Sequence, residues 1–181
     1  MSSAARPLGA FLQSDRPRLA RGPIAILLIE DASAVTQTLA HHLRAGFRVI
    51  LALSPEPLPA HALPEDPEGR IVNLIHDCRA PLAHVEAVNA VIRAAPPETW
   101  LYYGYNAEFL FYPFSESRSV GEMLAFHAEE RRSAFGHDET HPGYRAFRDA
   151  TLARYGVSRV EDLPVSLRAL ALKHNDALGD A

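Results

Sequence analysis

Three short apolar runs in this chain are followed at once by residues able to do chemistry. Glu30 and Asp31 follow the run 24–29, Asp77 and Arg79 follow 71–75, and Asn106 and Glu108 follow the aromatic run that opens at Trp100. Carboxylates in such positions take protons from attacking hydroxyls or accept hydrogen bonds from a bound ligand. If the runs are parallel strands, their carboxyl ends share one edge of a sheet, and that edge is where open α/β sheets bind ligands. The six side chains are therefore expected around one cleft. Asp77, Glu108 and Glu116 are the carboxylates placed to serve as a general base, and the sequence does not rank them. Asp77 and Arg79 have a plainer reading as a pair across a loop. Most of the aromatic run Trp100, Tyr102, Tyr103, Tyr105, Phe109, Phe111, Tyr112 and Phe114 reads as core, while Tyr105, beside Gly104, is the candidate to stack on a base.

Three other groups are reactive types. His137 and His141 have the i, i+4 spacing of a zinc-binding helix, but Gly136 and Pro142 frame them as a loop and no third ligand is evident, which leaves zinc hydrolysis as a remote alternative. Cys78 precedes Arg79, whose charge would lower a thiol's pKa; without a catalytic partner it reads as a small packing residue. His41 and His42 fall near a helix end, where an imidazole meets the dipole favourably.

The elements that must position these residues follow from periodicity and breakers. Residues 1–22, rich in Ser, Ala, Arg and Pro without sustained period, read as a flexible or loosely docked basic arm. The unalternating run 24–29 suits a strand buried on both faces. Ser33 is placed to cap a helix carrying Val35, Leu39 and Leu43, which Gly46 stops. A second strand over 47–53 completes a right-handed strand–helix–strand unit. Five prolines between 54 and 70 make a surface loop. A third strand over 71–75 leads to a helix with Pro81 at its first position and Val85, Val88 and Ile92 on its apolar face. The fourth strand covers 100–103 and breaks at Gly104. Ser119 and Glu122 have capping-box spacing for a helix reaching about Ser133, with Met123, Phe126 and Glu130 on one side. Two further helices, near 144–155 and 165–178, form a helical C-terminal appendage over 136–181. The fold expected is α/β: a mainly parallel sheet flanked by helices over 23–135, with that appendage.

In order and spacing, several short matches resemble glycosyltransferase family 2, whose members have the GT-A nucleotide-sugar-binding fold. Glu30 looks like the acidic residue of that family's early Asn-Glu element. The run from His42 to Gly46 resembles its H-x-x-x-G helix end, Asn89 stands like the Asn before the metal motif, and Glu108-Phe-Leu110 with Pro113 matches the E-F-L and P that follow it. The resemblance covers residues 24–132. It implies transfer of a sugar from a nucleoside diphosphate sugar to an acceptor hydroxyl, with Glu30, Asp31, Arg79 and Tyr105 binding the nucleotide and Glu108 or Asp77 catalytic. The chain departs from the family where Asp-x-Asp belongs, having Tyr105-Asn-Ala107 instead. Asn106 and Glu108 remain as metal ligands for Mg²⁺ or Mn²⁺, one charged where the family offers two, so weak metal binding and slow or absent turnover are expected. A non-catalytic nucleotide-binding or scaffold protein is the alternative.

The bulk properties narrow the partners. A net charge of -4 over 181 residues provides no global basic field for nucleic acid. The single cysteine allows no internal disulfide, which fits a reducing cytoplasm. The longest apolar run falls far short of the roughly 20 residues that cross a bilayer. Peripheral membrane contact through the basic tail stays open.

Overall fold

The computed structural model describes residues 5–97, 99–112 and 114–129. Five strands form one sheet: β1 (Arg6–Pro7), β2 (Ile24–Leu28), β3 (Val49–Ser54), β4 (Ile71–Ile75) and β5 (Leu101–Tyr105). They pair in the order β1-β4-β3-β2-β5, every pair parallel. The helices are α1 (Leu8–Ser14), α2 (Val35–Ala45), α3 (Ala83–Ala94) and α4 (Val120–Glu129). Short 3-10 helices span Arg16–Ala20 and Ala60–Ala62. No helix among the described residues is long and apolar enough to cross a membrane. The expected C-terminal appendage, His137, His141 and Glu130 lie outside the described residues.

β2, and β3 up to Ser54, are apolar because both faces are covered, and the one polar residue inside β4, Asn73, pairs its amide with the Leu58 backbone. Successive residues of β2 point to opposite sides, so Ile24, Ile26 and Leu28 join one core while Ala25 and Leu27 join the other. The first core also holds Leu8 and Phe11 of α1, Leu19, and Ala87, Val88 and Val91 of α3. The second holds Val35, Leu39 and Leu43 of α2 and Val120 and Leu124 of α4. Because α2 and α3 cover opposite faces, the chain runs from β2 outward to β4 and then crosses back under α3 to place β5 on the far side of β2.

Residues 5–22 are part of this body, which corrects the expectation of a flexible or loosely docked arm. Phe11 and Leu19 are wholly buried, and β1 extends the sheet beside β4. Two of this segment's arginines serve docking, Arg16 Nε donating to the Ala94 carbonyl at 2.7 Å and Arg18 to the Gly69 carbonyl, while Arg6 pairs with Asp15 within the segment at 2.6 Å. Apolar residues are sparse there and belong to three short elements, so no period betrays them.

Both helix starts also differ from expectation. Ala34 and Leu82, with φ of 50° and 63°, precede α2 and α3 in the left-handed conformation, and neither helix has a side-chain cap. Ser33 donates its N–H to Asp31 Oδ1 instead of capping, and Pro81 lies outside α3. Helix α3 is rotated from its expected phase: Ala83, Ala87, Val88 and Val91 face the core, and Ile92 is exposed. Small alanines let the helix sit close to the sheet, a contact that hydrophobicity alone underweights. Two expectations are met closely. Gly46 ends α2 at φ 93°, donating its N–H to the Leu43 carbonyl, and Ser119 and Glu122 form the reciprocal capping box at 2.7 to 3.3 Å. On α4, Val120 and Leu124 rather than Phe126 are buried.

Candidate functional site

The loops leaving β2, β4 and β5 meet at the carboxyl edge and are tied by hydrogen bonds from the expected residues. Asn106, the first residue after β5, is the centre of the tie. Its Oδ1 accepts the Glu30 N–H at 3.0 Å, and its Nδ2 donates to Asp31 Oδ1 at 2.7 Å and to the Ser33 carbonyl at 3.0 Å. The Asn106 N–H donates to the Leu28 carbonyl, continuing the β2–β5 ladder by one bond. From the third loop, Arg79 Nε donates to the Glu30 carbonyl at 2.9 Å. Asp77 accepts the backbone N–H of Arg79 at 3.1 Å, so these two residues pair through the main chain rather than through the guanidinium. Glu30, Asp31, Asp77, Arg79, Asn106 and Glu108 thus stand along one edge, as the topology requires.

Glu108 faces its own turn. Its Oε2 accepts the Tyr105 N–H at 2.8 Å, while its N–H donates to the Tyr105 carbonyl at 3.2 Å. The strand runs on through Gly104 to Tyr105 rather than breaking at the glycine. A Cβ at Gly104 would lie 2.5 Å from the Tyr102 hydroxyl oxygen and 3.1 Å from Glu108 Oε2, so any larger residue here would have to displace the Tyr102 side chain. Ala107, at φ 64°, donates its N–H to Thr38 Oγ1 at 2.9 Å, anchoring the turn to α2. A second anchor joins His41 Nε2 to the Leu110 carbonyl at 2.9 Å. Glu116, exposed in the turn at 114–117, takes no part in this network.

The electrostatics follow the bonding. The backbone N–H of Ser33, then its side chain and the Asn106 amide, hold the Asp31 carboxyl below its usual range, so it is ionised here. Burial pushes the Tyr105 phenol up to about 12, with Glu30 adding to the effect. Tyr105 also packs against His84, ring centroids 6.3 Å apart, which leaves it less available for stacking than its place in the sequence implied. Cys78 is buried, and burial raises its thiol to about 11; the opposing effect of Arg79 is smaller, so the thiol is not activated. It donates to the Leu53 carbonyl at 3.2 Å, which supports its reading as a packing residue.

As metal ligands the residues present fit poorly. A hard divalent cation takes six or more oxygens. Asn106 Oδ1 and Glu108 Oε2 each already accept a backbone N–H, and no group of three or more His, Cys, Asp or Glu among the described residues is arranged to hold an ion.

The aromatic run is only partly core. Phe109, Phe111 and Phe114 are 39%, 75% and 62% exposed, and the first two pack edge-on or tilted against His41 at 5.3 and 5.4 Å. The short loop over 105–112 cannot turn every aromatic inward. His42, expected to meet the helix dipole, is instead wholly buried between Phe47 and Tyr102.

No family model, curated protein or solved structure matches this chain. The functional reading therefore rests on its own residues and geometry. Thr38, which holds the site turn to α2, went unnoticed at the sequence level, and His41 was read there only as meeting the helix dipole; their place one helical turn apart on the helix beside β5 was the available signal.

Proposed function

We propose that this chain is a glycosyltransferase-like protein that holds a nucleoside diphosphate sugar at the carboxyl edge of its sheet and transfers the sugar slowly or not at all. One observation carries the reading: the strand order reverses beside β2. Taken in chain order, the four long strands lie third, second, first, fourth across the sheet, and a parallel sheet opens its ligand crevice where neighbouring connections leave a strand in opposite directions. Glu30, Asp31 and Asn106 stand on that crevice. Carboxylates at this position suit the hydroxyls of a ribose or hexose. Arg79 is the cation in the network able to meet a diphosphate.

The same geometry favours binding over turnover. Asn106 is spent on joining two loops, and the turn offers one carboxylate where charge on a leaving diphosphate would need offsetting. Calorimetric titration with uridine and guanosine diphosphates and their sugar conjugates, with and without Mn²⁺, tests this. Weak binding that Mn²⁺ improves by less than about tenfold is expected, because one charged ligand adds little affinity. Arg79→Ala should abolish it. Absence of binding to every nucleoside diphosphate would overturn the proposal, whereas tight binding seen only with Mn²⁺ would replace it with a working metal-dependent transferase.

A further inference from the structure

In a parallel sheet every strand begins at the same edge, and helices between strands end there. That amino edge, opposite the candidate site, gathers arginines. Arg21 stands three residues before β2, Arg48 one residue before β3 and Arg70 one residue before β4; Arg44 and Arg93 occupy the last turns of α2 and α3. Arg16 and Arg18 reach the same edge through the Ala94 and Gly69 carbonyls. The Arg48 N–H donates to the Pro23 carbonyl and the Ile50 N–H to the Arg70 carbonyl, which sets the three strand starts side by side. Neighbouring strands lie about 4.8 Å apart and a helix layer about 10 Å from the sheet. The arginines therefore share one end of the domain.

These arginines divide by what they do. Arg16, Arg18 and Arg70 are spent on main-chain carbonyls, Arg70 also approaching Glu68 at 3.8 Å. Helix dipoles account for part of Arg44 and Arg93. Arg21 closes only the short 3-10 helix Arg16–Ala20, and Arg48 ends no helix. All four of Arg21, Arg44, Arg48 and Arg93 are exposed, and none has an ion-pair partner among the described residues. Among the described residues the acids near this edge include Glu65, Asp66, Glu68, Asp15 and, through the contact of Ser119 with Gly46, Glu122; Asp66 is engaged by the Ile71 N–H, Asp15 by Arg6 and Glu122 by Ser119. The carboxyl edge has the opposite balance, with Glu30, Asp31, Asp77 and Glu108 against Arg79. The overall charge of -4 conceals this separation.

We propose that the amino edge is a docking surface for an anionic lipid membrane, which would leave the carboxyl edge facing away from the bilayer. Charge complementarity selects the partner: each arginine near an anionic leaflet contributes favourably, and contact needs only a broad basic face. A single-stranded nucleic acid would want exposed aromatic rings interleaved with the arginines for its bases. Here Phe47 is buried and Phe109 and Phe111 pack against His41, which leaves Phe114, under the Arg118 guanidinium, as a single exposed ring near this edge among the described residues rather than a row of them.

Sedimentation of the full chain with phosphatidylcholine vesicles, with and without about 30% phosphatidylglycerol, tests the assignment directly. Binding is expected only with phosphatidylglycerol and should fade as salt rises from about 0.1 to 0.5 M. Arg21→Glu/Arg48→Glu should weaken partitioning by about tenfold or more; if that variant loses its circular dichroism spectrum, Arg44→Gln/Arg93→Gln is read in its place. Equal binding to neutral vesicles, no binding to either, or binding undiminished in a folded variant would overturn the proposal. So would salt-sensitive binding of an oligothymidylate, lost in the same variants, by a chain that ignores vesicles. None of these outcomes bears on nucleotide binding at the opposite edge.

Discussion

His42 shows how one side chain's bonding fixes its ionisation. Its Nδ1 lies 2.8 Å from the Thr38 carbonyl, which can only accept, so Nδ1 carries the proton and Nε2 keeps its lone pair. Nε2 has no hydrogen-bond partner among the described residues, and the residue is wholly buried. Desolvation therefore pulls the imidazole from 6.5 down to about 4, with the Thr38 bond acting in opposition. The unfolded chain takes up a proton as the pH falls through 6.5, while the folded chain does not until about 4. Stability is thus full above 6.5 and declines across that window, by at most about 3 kcal/mol. Urea unfolding at pH 7.5 and 5 should show wild type losing about 2 kcal/mol more than His42→Leu between the two conditions. Equal losses would mean that the ring is protonated in the folded state.

At the scale of elements, the strand–helix order was legible because its signals are local. Apolar runs, Gly46 and the Ser119–Glu122 box each act within a few residues, and all reappear in the structure. The helix starts were hidden because Ala34 and Leu82 adopt a left-handed conformation that their side chains do not favour; only tertiary packing sets it. The candidate site was half legible for a related reason. Which residues share the edge follows from topology, but the spending of Asn106 on three loop contacts depends on a meeting 75 residues apart in sequence.

The tie and the missing aspartates can be separated by substitution. Asn106→Ala removes the contacts joining the β2 and β5 loops and should cost about 1–2 kcal/mol, since partly exposed hydrogen bonds each contribute about 1 kcal/mol. Tyr105→Asp/Ala107→Asp supplies carboxylates on either side of Asn106. Ala107, at φ 64°, tolerates the change, because aspartate visits the left-handed region more readily than alanine. Mn²⁺ should bind the double variant detectably tighter than wild type by calorimetry. Tight Mn²⁺ binding by wild type, lost on Glu108→Ala, would show that the turn is already a working metal site.

For the whole molecule, the decisive question is where the folded body begins. An unstructured arm would leave β4 as an open edge and the α3 face of the sheet partly bare, whereas β1 covers the strand at Leu74 and Ile75 and α1 covers that face. Phe11 sits at the centre of this arrangement, fully buried, with the Arg6 guanidinium 5.0 Å from its ring centroid. Truncating a buried phenylalanine typically costs about 3–5 kcal/mol, a large share of the stability of a domain this size. Phe11→Ala should therefore lower the urea midpoint strongly, and removal of residues 1–22 should leave a chain that fails to unfold cooperatively. The neighbouring exposed residue Gln13 provides the control, since Gln13→Ala should change stability by no more than about 0.5 kcal/mol. If Phe11→Ala behaves like Gln13→Ala, the first 22 residues are an arm after all and the folded body starts at β2.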